Sequence, residues 1–234
     1  METIGFSTGS LGRSDFHAAL DVLGEHPVGA VELSALRSHE LRPLLAAIPR
    51  LDLSRYSHVS IHAPSTFSAD EEREIAMLLA PWAARGWSIV VHPDAIRDFG
   101  LWAELGPGLS IENMDVRKPC GRNTGELEAI FARLPDAGFC FDIAHAWQFD
   151  PSMREAARLL EAFAHRLSHV HLSELDARSR HVRLSDAGVR AFQPLASLIS
   201  PEVPVIIESE VEAWEVASEL GMCLQATGRE LAVV

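Results

Sequence analysis

Eight short apolar runs, separated by helix-like stretches, constrain the fold of this chain more than any other feature. They are Ile4–Ser7, Ala30–Leu33, His58–His62, Ser88–His92, Leu109–Asn113, Phe139–Asp142, Ser168–Leu172 and Val203–Glu208. Over the chain's 234 residues they recur about every 29 residues, close to the roughly 30 of one strand–helix unit. Amphipathic segments lie between them. Ser68–Arg85 has an acidic first turn, Pro151–Ala164 has Pro in its first turn, and Val211–Met222 is the last. Strand–helix alternation through a whole chain predicts a parallel sheet. Eight units predict an α/β fold closed as a single (β/α)8 TIM barrel domain over residues 1–234, with short loops because the length is near the lower end for that fold. A doubly wound open sheet is the alternative. The chain carries no G-x-G-x-x-G, no Walker A and no G-x-S-x-G, the signatures of the common open-sheet functions.

Charge narrows the partners. Twenty Lys and Arg stand against 33 Asp and Glu, a formal net charge of −13. Duplex DNA is therefore a disfavoured partner, since binding it needs a basic face. The first residues show no basic segment followed by an apolar run, and no stretch reaches the roughly 18 apolar residues of a membrane span. Cys120, Cys140 and Cys223 are odd in number and lack C-x-x-C spacing. The expectation is a cytoplasmic protein in a reducing compartment, with no membrane association and no disulfide framework. No interface patch is legible, so a homo-oligomer stays open.

Strand side chains alternate between faces. His58, Ser60 and His62 share one parity, as do Ser110 and Glu112, Cys140 and Asp142, and His169 and His171; Ile206 and Glu208 share another. The aliphatic parity should meet the helices, which turns the polar parity to the barrel axis. Several strands then end in an inward carboxylate or imidazole: Glu32, His62, His92, Glu112, Asp142, His171 and Glu208. His145 follows Asp142 by three residues, and His181 stands in the next loop. Such ends converge at the C-terminal mouth, where barrel active sites lie. Burying that many charges together is costly unless a divalent cation neutralises them. Mixed imidazole and carboxylate ligands suit Zn, Mn or Fe, and the lack of clustered Cys argues against a structural zinc site. The number of donors leaves one to three ions open.

The basic loop Asp115–Thr124 reads as a functional loop. Arg117, Lys118 and Arg122 are candidates to grip an anionic substrate, against the plainer reading of a solvated loop. Trp147 is divided between packing and stacking on a substrate, and Arg183, in the loop past the seventh strand, joins the substrate-binding candidates.

Taken in order, these motifs resemble the xylose isomerase-like barrel superfamily, which joins sugar isomerases and epimerases to endonuclease IV. VSIHAP around His62, IVVHPD around His92, LSIENMD around Glu112, FCFDIAHAW around Asp142 and His145, HVHLSE around His171 and VPVIIESE around Glu208 carry the resemblance. It implies a four-ligand metal site of Glu112, Asp142, His171 and Glu208, with the two Glu flanking the substrate as acid and base. It further maps the extra ligands of endonuclease IV onto His62, His92, His145 and His181. One departure concerns the D-x-H motif past the seventh strand: here the segment is Ser179-Arg180-His181, which lacks the acidic ligand of a third ion.

The resulting expectation is a metal-dependent enzyme acting on a small carbohydrate-like molecule. Isomerase or epimerase chemistry comes first, with Glu112 and Glu208 transferring a carbon-bound proton. A multinuclear metallohydrolase of phosphoesters, like endonuclease IV in its ligands, is the alternative.

Overall fold

The computed structural model describes residues 3–13 and 15–229. Ten strands follow in chain order: β1 (Ile4–Ser7), β2 (Ala30–Ser34), β3 (His58–His62), β4 (Ser88–Val91), β5 (Leu109–Glu112), β6 (Gly138–Asp142), β7 (Leu167–Leu172), β8 (Glu174–Leu175), β9 (His181–Val182) and β10 (Val205–Ile207). Eight of them close a barrel in the order β1-β10-β7-β6-β5-β4-β3-β2, every pairing parallel. The short β8 and β9 pair antiparallel as a hairpin beyond β7. The barrel predicted from the spacing of the apolar runs is therefore present, within two residues of each predicted strand boundary.

The parity rule separates two interiors. Leu33, Ile61, Ile89, Val91, Ile111, Phe139, Phe141, Val170, Val205 and Ile207 face outward and join the helices in one hydrophobic cluster. Glu32, Ser60, Cys140, His169 and His171, fully buried, occupy the other parity and fill the barrel axis. One close approach depends on glycine. A Cβ at Gly5 would run into the carbonyl oxygen of Ala30 on the neighbouring strand.

The helices begin where their caps dictate. Ser68 accepts the N–H of Glu71 and Glu71 accepts that of Ser68, so the helix Ala69–Ala83 starts as predicted. The Pro151–Ala164 prediction begins too early. Asp150 accepts the N–H groups of Ser152 and Glu155, and Met153 turns left-handed at φ 59°. The helix starts at Arg154 and ends at Phe163, leaving Pro151 in the preceding turn. The Val211–Met222 segment is a 3-10 turn, Ala213–Glu215, followed by a helix over Val216–Thr227. Among the described residues no helix is long and apolar enough to cross a membrane.

Candidate metal centre

The C-terminal ends of β3 to β7 and β10 converge on one cavity of about 300 Å³. His62, His92, Glu112, His145, His181 and Glu208 line it, and Arg117, Lys118, Asp115 and Ser179 form its rim. Asp142 and His171 lie just beneath, each 0% exposed.

Glu112, the last residue of β5, organises the site. Its Oε2 is 3.2 Å from His62 Nε2 and 3.1 Å from His92 Nε2. Its Oε1 is 3.4 Å from both His145 Nδ1 and His171 Nδ1. His171 Nδ1 also stands 3.3 Å from Glu208 Oε2, and His181 Nδ1 stands 3.6 Å from the same oxygen. Donor atoms of Glu112, Asp142, His171 and Glu208 fall within 4.8 Å of one another, as do those of His62, His92 and Glu112 and those of Asp142, His145 and His181. Eight side chains predicted from the sequence to hold metal are thus brought together.

Local structure explains the D-x-x-H spacing. Asp142 ends β6 and caps the helix Ile143–Phe149, its Oδ1 accepting the N–H of His145 at 2.6 Å. Its Oδ2 is buried without a hydrogen-bond partner, although a buried carboxylate oxygen is costly to leave unsatisfied. Asn113 was not legible as a site residue. Its side chain donates to the Asp142 carbonyl and accepts the Asp142 N–H, both at 2.8 Å, and so ties the end of β5 to the end of β6. The one sequence signal was its place directly after the strand-end Glu112.

The electrostatics follow from burial opposed by neighbours. Burial works against a carboxylate at Glu112, but His92, His171 and His62 outweigh it and hold the group well below its usual range. Burial likewise opposes ionisation of Glu208, and His171 and His181 bring it down to about 2. Asp142 goes the other way: burial dominates and pushes it up to about 6, despite His145. For His62, burial is overcome by Glu112, Glu32 and Glu208, which push the imidazole up to about 9.

These residues fit a divalent cation. His62 Nδ1 lies 2.7 Å from the Ala63 carbonyl, which takes its proton and leaves Nε2 facing Glu112 at 3.2 Å. The positive charge that Glu112 calls for there is met by the imidazolium in the metal-free protein and would be met by a cation once Nε2 sheds its proton. The unpartnered Asp142 Oδ2 calls for the same.

The substrate-binding candidates divide. Lys118 reaches the rim but pairs with Asp94 at 2.9 Å. Arg117 also reaches it, yet its guanidinium chelates Asp115 and donates to the carbonyls of Arg178 and Ser179. Trp147 and Arg183 are not among the residues lining the cavity. Trp147 packs edge-on against Phe192, and Arg183 pairs with Glu215 at 2.5 Å.

A family model described as xylose isomerase-like TIM barrel matches residues 99–222. Several solved structures share the fold. Endonuclease IV from Thermus thermophilus superposes with a TM-score of 0.58 at 19% identity, covering 94% of this chain and 98% of that one. A xylose isomerase domain protein from Alicyclobacillus acidocaldarius gives 0.62 at 16% identity, covering 97% and 100%. The 3-keto-D-glucoside 4-epimerase of E. coli gives 0.57 at 13% identity, also covering 97% and 100%. No curated protein matches the sequence at a significant level.

Proposed function

The chain belongs to the xylose isomerase-like TIM barrel family, and from that premise we propose that it is a divalent-metal-dependent enzyme that hydrolyses a small phosphoester at a centre of more than one ion. The fold does not choose between reactions, since an endonuclease and a sugar epimerase share it. One observation carries the choice. Of the five candidate groups among the described residues, three are built wholly from these eight donors, with Glu112 common to two and Asp142 common to two. One ion takes its ligands from a group such as Glu112, Asp142, His171 and Glu208, which leaves His62, His92, His145 and His181 as four further donors around the same carboxylates.

Glu112, Asp142, His171 and Glu208 would hold one ion, with His62 and His92 sharing Glu112 for another. Ions held there supply the Lewis acidity that phosphoester hydrolysis requires. The chain's own contribution is placement. The two oxygens of Glu112 face different histidine pairs, which lets one side chain set the spacing of the centre. Arg117 and Lys118 are already paired with carboxylates, so attraction for an anionic group falls mainly to the centre itself. A cavity of about 300 Å³ suits a small molecule better than a duplex.

Isomerase or epimerase chemistry is the second reading. It is favoured by Glu112 and Glu208, which line the same cavity and could pass a carbon-bound proton between them. Elemental analysis of untagged protein, with an ester panel and a sugar panel, separates the two. Two or more equivalents of Zn, Mn or Fe with release of phosphate support hydrolysis. One equivalent, lost in Glu208→Ala, with deuterium exchange into a sugar, supports the second reading. No metal, even after reconstitution, overturns both.

A further inference from the structure

Below the centre, Glu32 on β2 is 0% exposed and lines no part of the cavity. Its Oε2 accepts the Ser60 hydroxyl at 2.9 Å and stands 3.2 Å from His171 Nε2. The other nitrogen of that ring, Nδ1, is the one that faces Glu208 and Glu112 in the centre. We propose that Glu32 is the positioning residue that fixes the tautomer and orientation of His171, holding its Nδ1 lone pair toward the metal centre; this rests on the metal-centre reading above.

The argument is one of proton accounting. Without metal, both ring nitrogens of His171 face carboxylate oxygens, Nε2 that of Glu32 and Nδ1 those of Glu112 and Glu208. A cation in the centre would take the place of the proton on Nδ1 only, because Nε2 points away from the centre into the closed barrel interior, where a lone pair facing a carboxylate oxygen is unfavourable on both sides. With a cation bound, the remaining proton therefore stays on Nε2 and is donated to Glu32, which leaves Nδ1 as the ligating nitrogen. His169 is the more distant neighbour. Ser168 donates its hydroxyl to the Phe139 carbonyl, so the contact at 3.1 Å is donated by His169 Nδ1. His169 Nε2 stands 3.5 Å from the same Glu32 oxygen, against 3.2 Å for His171 Nε2. His171 is thus the nearer imidazole to Glu32, and its other nitrogen is the one that faces the centre. A carboxylate behind a ligating histidine orients the ring and raises its basicity, and losing such a partner weakens metal binding by about 10- to 100-fold.

The test is calorimetric titration of the metal-free protein with Mn²⁺ and with Zn²⁺, comparing wild type, Glu32→Gln, Glu32→Leu and Asp142→Asn. A glutamine oxygen still accepts the His171 N–H, whereas leucine cannot. The expected order is wild type tightest, Glu32→Gln next, and Glu32→Leu weaker than wild type by about 10- to 100-fold. The metal-free melting temperature of Glu32→Gln should fall, because the imidazoles around it lose their buried counter-charge; a merely structural Glu32 would give that drop and leave metal affinity alone. In the Zn²⁺-loaded wild type, nitrogen-15 shifts should show His171 with its proton on Nε2 and its lone pair given by Nδ1, and the reverse there overturns the proposal even if Glu32→Leu does not fold. Equal affinities in all Glu32 variants overturn it while the metal centre stands. A Glu32→Gln loss as large as that of Asp142→Asn makes Glu32 a ligand, which also overturns it. Wild type that binds neither ion removes the centre and this role together.

Discussion

At Asp142 two jobs are carried by two different oxygens. Oδ1 caps a helix and Oδ2 is buried with no partner. The amide of Asp142→Asn keeps an oxygen for the cap and gives up the charge, so it should lose metal affinity while the metal-free protein melts close to wild type. Asp142→Ala loses the cap too, which costs about 0.5–2 kcal/mol. Its metal-free melting temperature should be several degrees lower than that of Asp142→Asn, as thermal melts would show. Equal melts for the two variants would remove the capping role. His62 gives the pH dependence. Its folded value of about 9 lies above the ordinary 6.5, so its proton stabilises the metal-free fold fully below about pH 6.5. That contribution is lost as pH rises through about 9. His145 and His171 shift in the same direction. The metal-free protein should therefore melt lower at pH 9 than at pH 6.5. The increase in melting temperature given by Mn²⁺ should grow over the same window, because ligands must shed protons to bind. A metal-free melting temperature that stays flat across the window would contradict this assignment.

At the scale of elements, the β8–β9 hairpin is the part of the site that folding of the barrel alone does not place. It carries His181 and is held from both sides. Asp176 accepts the N–H groups of Arg178 and Arg180 and the Arg180 guanidinium, while Arg117 donates to the carbonyls of Arg178 and Ser179. Ser179 adopts φ 53° at the turn, and Gln148 donates to its hydroxyl at 2.7 Å. Arg117→Ala should thus act as a loosened hairpin. Amide exchange should rise over residues 176–182, and the global melting temperature should fall as well, because Asp115, 1% exposed, loses the guanidinium that pairs it. Unchanged exchange there would return Arg117 to the role of substrate ligand. This hairpin also marks where sequence reading stops. The strand ends were legible because burial of alternate residues leaves a period of two in the sequence, and that parity carried His62, Glu112, Asp142 and His171 to the mouth. Arg117 and Lys118 reached the rim as expected, but their pairing with Asp115 and Asp94 depends on loop geometry that no period encodes. Trp147 and Arg183 were placed by proximity along the chain, and tertiary packing turned both elsewhere. Pro151 misled for a related reason: a proline marks the first turn of a helix or the turn before it, and the Asp150 side chain decided for the turn.

For the whole molecule, the proposed metal binding would be a property of barrel closure. The eight donors come from β3 to β7, β10 and the adjoining loops, so an ion held among them ties six strands of one closed sheet, including strands far apart in sequence. Such an ion binds the native state and has no comparable site in an unfolded chain. Its stabilisation is about 2.7 kcal/mol when the free ion is at 100 times its dissociation constant. For a chain of this size, about 2–4 °C per kcal/mol converts that to roughly 5–10 °C. A second ion of similar affinity should add a comparable increment. Melting the metal-free protein against increasing Mn²⁺ or Zn²⁺ should therefore raise the transition by at least this much, and at high free ion its slope against the logarithm of ion concentration should be about twice that of one site if two ions bind. In His92→Phe the second increment should be lost and the first kept, since His92 belongs to the group with His62 and Glu112 and not to the four-residue group. A wild-type slope of one site, identical in His92→Phe, would point to a mononuclear centre and hence to proton transfer by Glu112 and Glu208 instead of phosphoester hydrolysis. The net charge of −13 adds a further constraint at this scale. Any phosphate-bearing substrate approaches against the field of the whole chain, so turnover of a small anionic ester should rise with added salt, as screening weakens that repulsion over a Debye length of about 10 Å at 0.1 M. A rate that falls steeply with salt would reveal a local basic approach and reopen nucleic acid as the substrate.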